Sequence, residues 1–232
     1  MQDKYVLGAY WGARAESIDQ CARRLGIFLA GLADNHESLS IWYEALSSRK
    51  QSLLKPVQAP DTGTMIQLLN RGRNRENVEG KVMDDLGFQI GLWNGQAGAK
   101  RATLNIRCGL YWESSTPGVS VGNCVVLDLP QDLPTRVTSE KMSQILQVAV
   151  QAWDPAWAGI MSEQSMLTRG FDAQVPFVDW IVFLRRRILI VTPPSFTIEL
   201  QERGSIVVVQ PDPPSHDDPE ALARIERVVK LI

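Results

Sequence analysis

The sequence predicts an α+β fold: a mainly antiparallel sheet, one or two in number, with helices packed on one face. Three observations carry this. Apolar residues alternate with period two through the middle of the chain, at Leu86, Phe88, Ile90 and Leu92 and again at Ala102, Leu104, Ile106, Cys108, Leu110 and Trp112. Short connections rich in glycine, or carrying Arg203-Gly204, separate neighbouring apolar runs and make hairpins of them. No segment repeats the strand–helix–strand crossover that a parallel sheet requires.

Tyr5–Trp11 is apolar throughout and reads as a strand buried on both faces. Ser17 and Gln20 form a capping-box pattern. Behind them Ile18, Ala22, Leu25, Leu29 and Leu32 fall on one helical face, and Asp34-Asn35 ends that helix. Residues 39–46, with Trp42 and Tyr43, read as a short second helix. After a polar stretch with Pro56 and Pro60, residues 64–71 read as a weaker one. Residues 86–92 and 102–112 are two strands across a turn at 94–99, the second with one dry and one polar face. Residues 123–129 are the third strand of that sheet.

Pro130 and Pro134 then punctuate the chain. Residues 130–138 are the best place for an internal boundary, but the strands on either side are expected to share a core, so 1–232 reads as one domain. Ser139 caps a helix whose Met142, Ile145, Ala149 and Trp153 share a face. Residues 158–161 and 177–184 read as strands, the second closed by Arg185-Arg186-Arg187. Residues 196–201 and 205–210 form a tight hairpin around Arg203-Gly204. Asp218 and Pro219 take the N-cap and first positions of a last helix, with Leu222, Ile225, Val229 and Ile232 as its expected apolar stripe.

A chain of 232 residues is long enough to bury a sizeable core. Its formal net charge of −2 lacks the basic excess that draws a protein to nucleic acid or to anionic lipid, so neither is an expected direct partner. The three cysteines, Cys21, Cys108 and Cys124, show no CxxC spacing and lie in apolar stretches, which predicts buried reduced thiols. Met1-Gln2-Asp3-Lys4 leads straight into a strand without a signal-peptide pattern, and no apolar run reaches the length of a membrane span; the expected location is the cytoplasm.

Few residue patterns suggest catalysis. Gly118-Val119-Ser120-Val121-Gly122 matches the nucleophile elbow of serine hydrolases, but it leads from a loop into a strand, the reverse of the strand-to-helix turn that chemistry needs. Asp61 with Glu79-Gly80-Lys81 loosely matches the Asp…Glu-x-Lys set of metal-dependent nucleases, though the Glu-x-Lys part lies in a polar segment rather than on a strand. Residues 95–100 resemble a phosphate loop but lack its spacing and following helix, so a hairpin turn explains them. His36 and His216 have no spaced Cys or His partners for zinc, and no cofactor is expected. Arg185, Arg186 and Arg187 read as a solvated strand end, with a carboxylate-binding patch as the sharper alternative. Of the seven tryptophans, Trp93 alone falls on the polar phase of its strand, where an aromatic can anchor a protein contact.

The stretch Tyr5-Val6-Leu7-Gly8-Ala9-Tyr10-Trp11-Gly12, followed by Ala13-Arg14-Ala15-Glu16-Ser17 and the helix with Cys21-Ala22 and Leu25, resembles the immunity protein 52 family of bacterial polymorphic toxin systems. Trp42-Tyr43 and Ser48-Arg49-Lys50 are also similar to it. The resemblance implies a non-enzymatic protein that binds a cognate toxin of the restriction-endonuclease-like nuclease class, often one delivered by type VI secretion, and blocks it in the cytoplasm of the producing cell. It carries over no catalytic residues. A nuclease holds DNA in a basic cleft that attracts acidic surfaces. On that ground Glu76, Glu79, Asp84 and Asp85, together with Asp212 and Asp217, are candidate partner-binding residues, with a solvated face as the plainer reading of each cluster; Trp93 joins them as an aromatic on a polar strand phase. Whether the free protein forms a homodimer stays open, as do an enzymatic reading and an adaptor role in a secretion machine.

Overall fold

The strand β1 (Tyr5–Trp11) is buried along its whole length and pairs on both edges, as its unbroken apolar run predicts. This computed structural model of the chain describes residues 3–76, 79–112, 122–189 and 192–232. The other strands are β2 (Trp42–Glu44), β3 (Pro56–Val57), β4 (Phe88–Trp93), β5 (Thr103–Cys108), β6 (Asn123–Asp128), β7 (Trp157–Ser162), β8 (Ile181–Leu184), β9 (Phe196–Leu200) and β10 (Gly204–Val208). Among the described residues they form one ten-stranded sheet in the order β3-β2-β4-β5-β6-β1-β7-β8-β10-β9. Every pairing in it is antiparallel.

Among the described residues seven α-helices accompany the sheet: α1 (Ile18–Asn35), α2 (Arg49–Leu53), α3 (Thr62–Arg71), α4 (Leu133–Arg136), α5 (Ser139–Trp153), α6 (Glu163–Arg169) and α7 (Pro219–Val229). The reciprocal capping box at Ser17 and Gln20 opens α1 as expected. Leu25, Phe28, Leu29 and Leu32 of α1 pack with Ile145, Leu146, Ala149 and Trp153 of α5 and Leu68 of α3 over one face of the sheet. That face presents Leu7, Ala9, Ile90, Leu104, Ile106, Val125, Ile160, Phe183 and Ile206, and the whole forms the main core. The principal helical layer is thus on one face. Among the described residues the opposite face is covered chiefly from β6 to β10: Tyr10, Trp157, Met161 and Phe177 make a cluster with Met166 of α6 that reaches Cys124 and Val126 of β6, and Val182 and Val207 pack on Ile225 and Val228 of α7.

Several elements differ from the sequence expectation. Residues 39–46 are not a helix: a short 3-10 turn (Glu37–Leu39) leads into β2. Trp42 is buried, with its ring N–H donating to the Leu39 carbonyl at 2.9 Å, while Tyr43 faces the other way beside Trp93, which is period-two alternation. The unpaired edge of β4 supplies backbone partners that three residues of sequence cannot reveal. The strand expected at 102–112 stops at Cys108, where Gly109 at φ +70° turns the chain out of the sheet. Likewise β8 begins only at Ile181, after Asp179 has turned inward as a hydrogen-bond acceptor. Thr138, not Ser139, caps α5 through its side chain. In α7 the buried positions are Ala221, Ile225 and Val228, and Val229 is exposed. Cys21 and Cys108 are buried, whereas Cys124 is only half-buried. Among the described residues no helix is long and apolar enough to cross a membrane.

Candidate interaction surface

Strand alternation decides what the part of the sheet left open among the described residues, and its border on β6, display. Opposite the helical layer, β4 presents Gln89, Gly91 and Trp93, β5 presents Thr103, Asn105 and Arg107, and β6 presents Cys124, Val126 and Asp128. The registers align these into three rows: Trp93–Thr103–Asp128, Gly91–Asn105–Val126 and Gln89–Arg107–Cys124. The β4 and β5 members of the first two rows, Trp93, Thr103, Gly91 and Asn105, floor a cavity of about 520 Å³, walled by Ala45, Leu46 and Arg49 on one side and Arg101 on the other. A second cavity of about 350 Å³ continues from Arg107 and Cys124 to Tyr10 and Trp157. A third, of about 290 Å³, lies past Arg101, against Asp128 and Glu163.

Trp93 is held in place on this face. Its ring N–H donates to the Gln96 carbonyl at 2.7 Å, Tyr43 lies 6.3 Å away across the strands, and the Arg49 guanidinium stands 5.9 Å from its ring centre. Among the described residues Arg49, Arg101 and Arg107 have no carboxylate within ion-pair distance. Burial, only partly offset by Arg107, holds the Cys124 thiol above its ordinary pKa, so it stays protonated at neutral pH.

The structure separates the residues singled out from the sequence. Glu76 and Glu79 are exposed on the loop between α3 and β4, which the Arg75–Val82 bridge closes. Asp84 pairs with Arg73 at 3.5 Å, and the Asp85 carbonyl accepts the N–H groups of Tyr111 and Trp112. These four lie where β5 ends. Asp212 and Asp217 are exposed at the other end of the strands, beside the start of β1: Tyr5 donates its hydroxyl to the Pro214 carbonyl, and His216 lies between Asp3 and Asp217. Trp93 is in neither group. The two acidic clusters therefore flank opposite ends of the sheet.

The catalytic candidates are dispersed as well. The Asp61 carboxylate is engaged as the N-cap of α3, accepting from the N–H groups of Gly63 and Thr64, and these bonds hold its pKa below the ordinary carboxylate range. Ten helical residues, about 15 Å of rise, separate it from the segment that carries Glu79 and Lys81, so the two parts of that set do not converge. Residues 118–121, with Ser120, lie outside the described residues. Residues 95–100 are the β4–β5 connection, as expected for a hairpin. Arg185 and Arg187 are tied to Asp154 and Glu199. Among the described residues no group of three or more His, Cys, Asp or Glu could hold a metal ion.

The sequence pattern that defines Immunity protein 52 matches residues 3–232. The chain belongs to the immunity protein 52 family. A search of the curated proteins finds no match. Among solved structures, the chain is similar to a type VI secretion system (T6SS) protein of Pseudomonas aeruginosa, with 13% identity, a TM-score of 0.53 and coverage of 99% of this chain and 73% of that one. At that identity the likeness is one of fold. In this member of the immunity protein 52 family, the residues that carried the resemblance divide between packing and the open face. Trp11 stacks on Trp153 at 5.6 Å in the core, and Tyr10 stacks on Trp157 at 4.6 Å in the smaller cluster. Tyr43 and Arg49, by contrast, stand beside Trp93.

Sequence reasoning missed the arginines. Arg101 and Arg107 were visible on the polar phase of the 101–112 run, but only as alternation. That Arg49, from a different element, joins them depends on β2 pairing with β4, a contact between residues about fifty apart.

Proposed function

We propose that this protein neutralises a cognate toxin by stoichiometric binding in the cytoplasm of the cell that makes both. We further propose that the toxin is a secreted nuclease of the restriction-endonuclease-like class. The observation that carries the reading is the family match over residues 3–232, which leaves almost no part of the chain to a different module. The scatter of Asp61, Glu79 and Lys81 is consistent with a protein that acts through its folded exterior. On this reading the contact is centred on Trp93. Glu76, Glu79, Asp84 and Asp85 at one end of the strands, and Asp212 and Asp217 at the other, act as rim charges that steer approach more than they hold the complex.

The test is co-expression with the toxin encoded beside the gene. Growth is expected to be rescued, and the two proteins to co-purify at a fixed ratio. Rescue without a complex, or Mg²⁺-dependent DNA cleavage by the purified chain that is lost in Glu79→Gln, would overturn the reading.

A further inference from the structure

We infer that the open sheet face around Trp93 receives an acidic, extended segment of the toxin, with Arg49, Arg101 and Arg107 taking its carboxylates. The inference rests on the toxin-binding reading and adds the chemistry of the surface received.

The argument starts from charge. Among the described residues ten arginines, Arg24, Arg71, Arg185, Arg187 and Arg224 among them, stand against carboxylates, while Arg23, Arg75, Arg186 and Arg227 are exposed without one. The three around the face also lack one, among the described residues, although Asp128 lines the adjoining cavity with Arg101. The Asp128 carboxylate instead accepts the Thr103 hydroxyl. Arg49 and Arg101 line the larger cavity and Arg107 lines the one that adjoins it along β5, so three guanidinium groups, each able to grip a carboxylate with two parallel hydrogen bonds, border one strand face.

Shape agrees with charge. Between the arginines the floor is made of small or short side chains, Gly91, Ala45, Thr103 and Asn105, so an incoming backbone can lie close to the sheet. From Thr103 to Arg107 is four residues of strand, about 13 Å, the span of roughly four to five extended residues of a partner. Trp93 and Tyr43 form an aromatic end-wall that an apolar side chain of the same segment can cover. Partial exclusion of water in the cavity strengthens each charge pair relative to one on a flat surface.

The same chemistry excludes two other occupants. The basic surface with which a nuclease holds DNA would be repelled here, so the toxin region received is an acidic one elsewhere on it. Nucleic acid is disfavoured because the cationic patch is local and the whole chain carries −2.

The experiment measures binding of the purified chain to the toxin encoded beside its gene by calorimetry, at about 50 and about 300 mM salt. The Arg101→Glu/Arg107→Glu variant is expected to bind at least about tenfold more weakly, and wild-type affinity to fall at the higher salt. Arg101→Lys should lose less than Arg101→Glu, and Asp34→Lys, exposed on α1 in the helical layer of the opposite face, should change affinity less than about twofold. Because these side chains are half-buried or exposed, their variants should keep the wild-type melting temperature, and far-UV circular dichroism checks this. If wild type binds and the double variant binds within about twofold of it, this inference fails while the neutralisation reading stands. If wild type neither binds nor rescues growth, that reading fails and takes this one with it. Binding of a single-stranded oligonucleotide by wild type as tightly as the toxin, lost in the double variant, would assign the face to nucleic acid and overturn the proposal.

Discussion

Asp179 shows what one side chain can decide. It is 2% exposed and accepts the Ser162 N–H at 2.8 Å and the Ser165 hydroxyl at 2.7 Å, with Arg169 at 3.4 Å. It therefore pins α6 to the turn before β8. Burial pushes its carboxyl pKa up, against the opposing pull of those hydrogen bonds and of Arg169. A raised carboxyl pKa means the folded state holds this proton more tightly than the unfolded chain. The group's contribution to stability is greatest below the unfolded-state value and falls as pH rises to the folded one. Asp179→Asn should lack this fall, so that across that acid window the urea-unfolding free energy of the wild type drops relative to the variant as pH rises. Asp179→Ala leaves a buried N–H and hydroxyl without an acceptor and should cost about 1–3 kcal/mol at neutral pH in the same measurement. His216 behaves in the opposite sense. Its hydrogen bond to Asp3, with the nearby charges of Asp3 and Asp217, raises its pKa. The stabilisation is complete below the ordinary histidine value and lost as pH rises through the raised one. An NMR titration should show that raised midpoint, returning toward the ordinary value in Asp3→Asn.

At the scale of elements, caps and turns were the most legible features because their chemistry is local. Ser17 and Gln20 close the first turn of α1 through bonds spanning three residues, and Ser17→Ala should cost about 1 kcal/mol in thermal or urea unfolding. The β9–β10 hairpin was equally readable from Arg203-Gly204. Gly204 has φ +134°, and a Cβ there would run into the Leu184 carbonyl of the neighbouring strand, so Gly204→Ala should lower the melting temperature more than Ser17→Ala does. Residues 39–46 misled for the complementary reason. Their apolar pattern is too short to separate a helix from a strand, and the choice fell to the edge of β4, far away in sequence. The strand at 102–112 was overextended because alternation of side chains continues past the point where Gly109 takes the backbone away.

For the whole molecule, β1 is the joint: it pairs with β6, before the proline-punctuated stretch at 130–138, and with β7, after it. The main core likewise mixes residues from both sides, such as Leu104 and Phe28 with Ile160 and Phe183. The protein is therefore expected to unfold in a single transition, with tryptophan fluorescence and far-UV circular dichroism giving the same urea midpoint. Two separated midpoints would place a true boundary near 130–138. By itself the sequence determined the α+β class, the antiparallel hairpins, the buried first strand and the resemblance to a family, since each is written in periodicity, caps or a contiguous run of residues. Which polar strand face stays open, that Trp93 meets Tyr43 and Arg49 there, and that the acidic clusters part to opposite ends were decided only by the tertiary structure. Alternation marks a face as dry or wet, but what covers it, and which side chains from elsewhere border it, follows from contacts between segments dozens of residues apart.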